Sequence, residues 1–145
     1  MYETDPIKWG VLGPGRIAHK FAEGLRHVRG GRLTAVGSRN LSRAKDFAAM
    51  YHAPKAYGSY EELVSDGSID AIYVATPHPQ HSACCRICLE AGKHVLCEKP
   101  ITVNALEAHE LAKLARLQKV LLMEAMWTRF IPTTKAVIEL IHAGD

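Results

Sequence analysis

The sequence predicts an α/β domain built on a doubly wound parallel sheet. Two observations carry this prediction: short apolar runs of strand length alternate with helical stretches, and a glycine-rich turn joins the first strand to the first helix. Alternation of this kind gives a parallel sheet with helices on both of its faces. With 145 residues, of which 48% are hydrophobic, the chain can form one domain with a good core, but not two.

The elements follow in a regular order. Strands are predicted over residues 7–12, 32–37, a short stretch near Ala56, and residues 70–75, 94–97 and 120–124. Helices are predicted over residues 17–28, 41–51, 60–64, 80–91, 105–117 and 131–142. Two helix starts carry capping signals, Ser59 with Glu62 and Asn104 with Glu107. Pro132 suits the first turn of the last helix.

A glycine turn, residues 13–18, follows the first strand and reads Gly-Pro-Gly-Arg-Ile-Ala, a match to G-x-G-x-x-A. Gly13 permits a tight turn, Gly15 lets a pyrophosphate approach the backbone, and Ala18 lets the helix lie close to the sheet. Phosphates would bind the free N–H groups at the helix N-terminus, where the macrodipole favours negative charge. The turn predicts a Rossmann-type dinucleotide-binding domain. Its cofactor-binding candidates are Gly13, Gly15, Arg16 and Ile17.

The end of the second strand indicates which dinucleotide is bound. An NAD site usually places Asp or Glu there, to bond the ribose 2′-hydroxyl. Here the chain has Ser38 and Arg39, with Arg43 one helical turn further on. A guanidinium pairs with a phosphate in a planar fork and a hydroxyl adds a bond, so these residues fit the 2′-phosphate of NADP. We therefore expect NADP to be preferred over NAD. The alternative is that both arginines are solvated charges at a helix start.

A lysine stands at the end of the fifth strand, where residues 98–100 read Glu-Lys-Pro. A cation at the carboxyl end of a parallel strand, beside a cofactor, suggests hydride-transfer chemistry. The Lys99 ammonium would stabilise the negative charge that develops on an alcohol oxygen and relay its proton. Lys99 is therefore the catalytic candidate, although a lone lysine at a strand end is usually a surface residue.

Charge and hydropathy exclude several classes of protein. The net charge of +3 is small and the basic residues are scattered, so neither a nucleic-acid surface nor a polybasic membrane helix is indicated. No apolar run approaches the ~20 residues of a membrane span, and residues 1–6 are polar rather than a signal peptide. We expect a cytoplasmic protein. The four cysteines resemble no secreted disulfide framework and suit a reducing compartment.

A zinc site is a competing hypothesis. Two histidines precede the fourth helix, and Cys84 and Cys88 share one of its faces, so a ligand set is geometrically possible. The same cysteines pack well against a sheet as small hydrophobes, and we favour that interpretation. No metal is therefore expected. The residues of the competing set are His78, His81, Cys84, Cys85 and Cys88.

Three further motifs stand beside the glycine turn. Residues 75–81 read Ala-Thr-Pro-His-Pro-Gln-His, residues 91–100 read Ala-Gly-Lys-His-Val-Leu-Cys-Glu-Lys-Pro, and residues 123–130 read Met-Glu-Ala-Met-Trp-Thr-Arg-Phe. Together the four motifs resemble the Gfo/Idh/MocA family, named for glucose-fructose oxidoreductase and inositol dehydrogenase. The motifs at 75–81 and 123–130 are especially similar to the branch of dimeric dihydrodiol dehydrogenases and NADP-dependent D-xylose dehydrogenases. The resemblance covers essentially the whole chain.

The resemblance implies roles for further residues. It places Lys99 near the nicotinamide and the substrate hydroxyl, and the Lys99–Pro100 bond is expected to be cis. The loop after the fourth strand would line the cofactor, and residues 127–130 would approach the substrate and nicotinamide pocket. Many members have Asn where this chain has His78. The cofactor-binding candidates implied in this way are Ala75, Thr76, Pro77, His78, His81, Glu98, Lys99, Trp127 and Arg129.

The resemblance also implies an NADP-dependent dehydrogenase that transfers hydride between NADP and a polyol, sugar or dihydrodiol-type alcohol, as a possible homo-oligomer. Family members carry a second α/β domain that supplies most of the substrate pocket. The chain ends at Asp145, about where that domain would begin. Residues 1–145 are therefore expected to form the dinucleotide-binding domain alone, with little activity of its own. The alternatives are a noncatalytic NADP-binding or regulatory module and a truncated inactive product.

Overall fold

The computed structural model describes residues 5–144. The strands are β1 (Ile7–Leu12), β2 (Gly31–Gly37), β3 (Lys55–Tyr57), β4 (Ala71–Val74), β5 (His94–Cys97) and β6 (Leu122–Glu124). The helices are α1 (Arg16–Leu25), α2 (Leu41–Tyr51), α3 (Tyr60–Ser65), α4 (His81–Glu90), α5 (Ala105–Gln118) and α6 (Pro132–Ala143). Single 3₁₀ turns lie at His78–Gln80 and Trp127–Phe130.

The six strands form one parallel sheet in the order β3-β2-β1-β4-β5-β6. The chain first moves outward from β1 to β3 and then returns to the other side of β1 at β4. The strand order therefore reverses between β1 and β4, and the carboxyl ends of these neighbouring strands flank the crevice in which such sheets bind ligands. The predicted doubly wound sheet is confirmed.

Successive residues of a strand face opposite sides of the sheet, and each side has its own apolar core. On one side, Leu12 and Ile72 are fully buried beneath helices α3, α4 and α5. On the other side, Val11 and Val36 are fully buried beneath α1 and α2. Helices on both faces are thus confirmed.

Beyond α1, the second side of the sheet is less well covered. Both α4 and α5 pack on the opposite side, so β5 and β6 present an apolar groove of about 710 Å³ next to Trp127 and Phe130. These two aromatic side chains are 61% and 57% exposed. Helix α6 has no buried residue within the part of the chain that the structure describes.

The element boundaries differ from the prediction in a few places. Helix α1 ends at Leu25 rather than Val28, because tight-turn bonds replace helical ones after Gly24. Strand β6 begins at Leu122 rather than Val120, because the Val120 N–H bonds back to the end of α5. The two 3₁₀ turns were not predicted. Both predicted capping pairs are present, and the one at Ser59 is a complete capping box.

A network of polar side chains lies at the edge of the sheet where the strands begin. The Lys55 ammonium, the Tyr57 hydroxyl and the Ser68 hydroxyl donate to the Asp66 carboxylate at 2.8, 2.9 and 2.8 Å. The Lys93 ammonium donates to the Asp66 carbonyl at 2.8 Å. Burial alone would raise the pKa of Asp66, but these donors hold that pKa well below its ordinary value. We call these five residues the Asp66 network.

Candidate functional site

The glycine turn lies at the carboxyl end of β1 and contacts the loop after β4. Gly13 has φ of +88°, in the left-handed region that favours glycine. A Cβ atom at Gly13 would lie 3.0 Å from the Thr76 Cγ2 and 3.2 Å from the Thr76 nitrogen. Position 13 therefore requires glycine both for its backbone conformation and for the close approach of Thr76.

Helix α1 begins without a side-chain cap. Its N-cap is Gly15, and no side chain in residues 5–144 bonds to its first turn. Helices α2, α3 and α5 are instead capped by Asn40, Ser59 and Asn104. The Ala18 N–H donates to the Gly15 carbonyl oxygen at 3.0 Å, whereas the N–H groups of Arg16 and Ile17 make no bond within residues 5–144. These two groups thus remain available to an anion, and the helix dipole favours negative charge there.

A cavity of about 480 Å³ opens beside this helix start, and we call it the Arg39 cavity. It gathers the glycine turn, the end of β2 and the loop after β4, although these segments are far apart in sequence. Eight of the predicted site residues lie together here. They are Gly13, Gly15, Ser38, Arg39, Arg43, Ala75, Thr76 and Pro77.

The arginines of this cavity are placed by the start of α2. The Asn40 Oδ1 accepts the Arg43 N–H at 3.2 Å, and the Ser38 Oγ accepts the Asn40 N–H at 3.2 Å. Ser38 is buried, whereas Arg39 and Arg43 are exposed. Neither arginine forms an ion pair with any residue in the range 5–144. Two cations without a protein counter-charge fit a phosphate group.

Tyr60 is a residue of this cavity that sequence reasoning missed. It is the first residue of α3, directly after the Ser59 cap. Burial raises the pKa of its phenol, while Arg39 and Arg43 act in the opposite direction. Tyr60 therefore offers a neutral hydroxyl beside the two arginines. The signal that would have found it is its place just past β3, at the edge of the sheet where β2 ends.

A second cavity of about 380 Å³, the Tyr73 cavity, lies on the other side of α1. It brings together three predicted residues, Ile17, Glu98 and Trp127. The Tyr73 hydroxyl donates to Glu98 Oε1, and the Lys99 N–H donates to Glu98 Oε2 at 3.2 Å. Burial and this carboxylate raise the pKa of Tyr73 well above its ordinary value. Glu98 therefore connects the wall of the cavity to the backbone of Lys99.

Lys99, Arg16 and Arg129 line neither cavity and are exposed. The Lys99–Pro100 peptide bond is cis, as the family resemblance implied. Lys99 follows β5 at the same edge of the sheet as the glycine turn. Its ammonium makes no hydrogen bond or ion pair within residues 5–144, so it remains available to a ligand.

The two histidines directly follow the loop after β4. His78 begins the 3₁₀ turn and His81 begins α4. The His78 Nε2 is 3.1 Å from the Thr102 carbonyl oxygen. His81 is 1% exposed, and both of its ring nitrogens lie against backbone carbonyl oxygens at 2.8 Å. Neither histidine lines the Arg39 or the Tyr73 cavity. A direct contact between these histidines and a cofactor stays a prediction.

The cysteines of the competing hypothesis are core residues. Cys84, Cys85 and Cys88 are buried and free. Burial raises the pKa of the Cys84 and Cys88 thiols. Within residues 5–144, no three histidine, cysteine or acidic side chains come together as metal ligands.

Over the same range, no helix is long and apolar enough to cross a membrane.

The strand order, the glycine turn and the uncapped helix at the switch point define a dinucleotide-binding domain of the Rossmann class. Residues 7–126 match the profile of the GFO_IDH_MocA family, described as an oxidoreductase family with an NAD-binding Rossmann fold. The chain belongs to this family.

Similar proteins include the trans-1,2-dihydrobenzene-1,2-diol dehydrogenases of Mus musculus and Homo sapiens. Each is 46% identical to this chain over 140 residues, which is 95% of this chain and 42% of the relative. The chain thus spans less than half the length of these relatives.

Similar solved structures include KijD10, a 3-ketoreductase from Actinomadura kijaniata in complex with NADP and TDP-benzene. It superposes with a TM-score of 0.92 at 33% identity over 97% of this chain and 43% of KijD10. An NAD binding oxidoreductase from Klebsiella pneumoniae gives a TM-score of 0.88 at 30% identity over 97% of this chain and 39% of that protein.

Proposed function

We propose that this chain is the NADP-binding part of a dehydrogenase that transfers hydride between NADP and a polyol, sugar or dihydrodiol-type alcohol. The observation that carries the proposal is the Arg39 cavity, where an uncapped helix start faces two arginines that have no ion pair within residues 5–144. The alcohol class is supported by the relatives named as dihydrodiol dehydrogenases. A cytoplasmic location and a homo-oligomeric state stay predictions.

The residues of the Arg39 cavity fit the two anionic groups of NADP. The first turn of α1 would bind the diphosphate, because its N–H groups lack a side-chain cap. Arg39 and Arg43 would pair with the 2′-phosphate, and Ser38 would add a hydroxyl. An acidic residue, which would repel that phosphate, is missing from the end of β2. These contacts support a preference for NADP over NAD.

Titration calorimetry with NADPH and NADH tests this preference. Arg39→Ala is expected to weaken NADPH binding by about 1.5–3 kcal/mol, or roughly tenfold to a hundredfold, because a charge-assisted bond to the phosphate is lost. NADH binding should change little. Lys45→Ala, an exposed lysine on α2, is the control and should affect neither cofactor. Equal affinity of the wild-type chain for both cofactors would contradict the proposal.

Lys99 is proposed as the catalytic residue. When bound, NADP supplies the hydride acceptor. The Lys99 ammonium would stabilise the negative charge on the substrate oxygen and relay its proton. Glu98 would position Lys99, since its carboxylate accepts the Lys99 N–H while it is fixed by Tyr73.

Steady-state formation of NADPH tests this role of Lys99. In a two-domain protein that contains this chain and turns over a sugar or a dihydrodiol, Lys99→Ala should lower turnover by about two orders of magnitude. NADPH affinity should stay within about twofold. Unchanged turnover would remove Lys99 from the mechanism. The 145-residue chain alone is expected to bind NADPH with little turnover, because it spans only 42% of the length of the relatives it matches. Robust turnover by this chain alone would contradict that expectation.

A further inference from the structure

A further cavity lies away from the crevice at the carboxyl ends of the strands. It is lined by the C-terminal ends of α1 and α2 and by the beginning of β2, residues 31–34. Its volume is about 540 Å³, within the range of small-molecule sites. We call it the Thr34 cavity. It shares no lining residue with the Arg39 or the Tyr73 cavity, so a ligand there is independent of the proposed function.

Thr34 is an extra residue in β2. Trp9 on β1 lies opposite Leu33, but the next residue, Gly10, lies opposite Ala35, so Thr34 has no register partner on β1. The pairing of β2 with β3 begins only at Ala35. An extra residue of this kind is a β-bulge, which redirects a side chain and is common next to functional sites.

The Thr34 hydroxyl has no hydrogen-bond partner within residues 5–144, although the residue is only 7% exposed. Every other buried side-chain nitrogen and oxygen atom in that range has a partner. A buried hydroxyl without a partner costs free energy, so its presence requires an explanation. A ligand that binds in the cavity would supply the missing partner.

Two arginines make the cavity positive. Arg26 and Arg32 are exposed lining residues, and neither forms an ion pair within residues 5–144. No acidic residue of that range lines the cavity, and the nearby Glu23 pairs with Lys20 at 3.1 Å. The C-terminal ends of α1 and α2 each add about half a negative charge, which two full positive charges exceed. The cavity therefore favours an anion.

The rest of the lining is largely apolar. An inorganic anion would leave this apolar surface without a contact. A guanidinium binds a carboxylate through two parallel bonds, and a hydroxyl can donate to a carboxylate oxygen. The combination fits a carboxylate that carries an apolar body. The apolar residues are Ala22, Leu25, Leu33 and Pro54.

We propose that the Thr34 cavity binds a small organic carboxylate with an apolar body. Arg26 and Arg32 pair with the carboxylate, and the Thr34 side chain turns its hydroxyl to one of the carboxylate oxygens. The apolar lining contacts the rest of the ligand. One ligand thus accounts for the bulge, the hydroxyl without a partner and the two unpaired arginines.

NMR titration of the ¹⁵N-labelled chain with benzoate and benzamide tests the charge, because the two compounds have the same ring and nearly the same size. Benzoate is expected to shift the amide signals of Leu33 and Thr34 saturably, with a Kd of about 1 mM or lower. Benzamide and inorganic phosphate should each bind at least about tenfold more weakly. A smaller difference, or benzoate shifts that do not saturate at these two residues, would overturn the proposal.

A pair of double variants tests the arginines. Arg26→Gln with Arg32→Gln should raise the Kd for benzoate at least about tenfold, because the charge-assisted bonds are lost. The control, Arg29→Gln with Lys45→Gln, removes the same charge at two exposed residues outside the cavity. It should change the Kd by less than about twofold at physiological salt, where distant charges are screened. Comparable effects of the two double variants would indicate long-range attraction without a site and overturn the proposal.

Thr34→Val tests the hydroxyl, since valine has nearly the shape of threonine. The Kd for benzoate should rise at least about threefold. The midpoint of urea unfolding should not fall, because the lost hydroxyl bonds nothing within residues 5–144. An unchanged Kd or a lower midpoint would overturn the role of Thr34. The comparison of benzoate with benzamide uses only the wild-type chain, so it decides the proposal even where a variant fails to fold. NADPH takes no part in these measurements, so a failure of the proposed function would leave them unaffected.

Discussion

The two edges of the sheet use charged residues differently. Where the strands begin, the Asp66 network pairs Lys55 with the Asp66 carboxylate and Lys93 with backbone carbonyls. Where the strands end, Lys99, Arg39 and Arg43 form no ion pair within residues 5–144. Paired charges stabilise the fold, whereas unpaired cations at the ligand crevice remain available to bind anions. Substitutions of these charged residues at the first edge should therefore change stability, whereas substitutions of these charged residues at the second should change binding.

The strongest test of this comparison uses one left-handed glycine from each edge. Gly13 and Gly92 have φ of +88° and +71°, so alanine costs about 1–2 kcal/mol of backbone strain at either position. Only at Gly13 would the new Cβ also collide with Thr76, since nothing lies within 4 Å at Gly92. Gly13→Ala should therefore lose about 2–4 kcal/mol in urea unfolding and weaken NADPH binding more than tenfold.

Gly92→Ala is the matched control for that experiment. It should lose about 1–2 kcal/mol of stability from strain alone and leave NADPH binding unchanged. Equal NADPH affinity of the two alanine variants would contradict the proposed difference between the two edges of the sheet.

Asp66→Asn tests the edge where the strands begin. It removes a carboxylate that accepts several hydrogen bonds, so the free energy of unfolding should fall by about 1–3 kcal/mol near neutral pH. The NADPH affinity should not change. A loss of affinity comparable to that of Arg39→Ala would show that the two edges are not independent.

The same variant predicts a pH dependence. Because the folded-state pKa of Asp66 lies below its ordinary value of 3.8, its contribution is present above that value and is lost as the pH falls below it. The stability difference between wild type and Asp66→Asn should therefore be constant at neutral pH and shrink below about pH 4. Urea titrations across this range measure it, and a constant difference down to the lowest pH would contradict the assignment.

The smallest expected effect comes from capping α1. Gly15 has φ of −92°, and a Cβ there would meet only the Ala75 carbonyl oxygen at 3.8 Å, so a side chain fits. Gly15→Asp should stabilise the protein by about 0.5–1 kcal/mol, because its carboxylate caps the helix. It should also weaken NADPH binding by occupying the same N–H groups. Gly15→Ala separates the carboxylate from the added carbon; equal binding by both variants would refute this explanation.

The parts of the fold that depend on local signals were predicted. The Gly13 turn follows from a short motif between a strand and a helix, and the Ser59 box needs only residues three apart. The grouping of Ser38, Thr76 and the glycine turn also followed, because parallel strands end at one edge of the sheet.

The features that depend on packing between distant segments were not predicted. Tyr60 lines the Arg39 cavity because α3 lies beside the end of β2, a placement that follows from the strand order and not from a local motif. The Tyr73 ring stacks on Phe21 at 4.1 Å, across a strand and a helix. The two carbonyl partners of His81 come from different loops. Each case depends on which loops and helices meet, whereas local sequence signals act within a few residues.

The Arg39 cavity and the Tyr73 cavity are assembled differently from the sequence. Ser38, Arg39 and Arg43 belong to one contiguous segment, whereas Ile17, Glu98 and Trp127 of the Tyr73 cavity come from three separate elements. The residues proposed to favour NADP over NAD thus form one short segment, which substitutions confined to residues 38–43 would change. The three residues of the Tyr73 cavity share no such segment, so they cannot be exchanged together by a local change. Laboratory libraries aimed at cofactor choice therefore belong in residues 38–43.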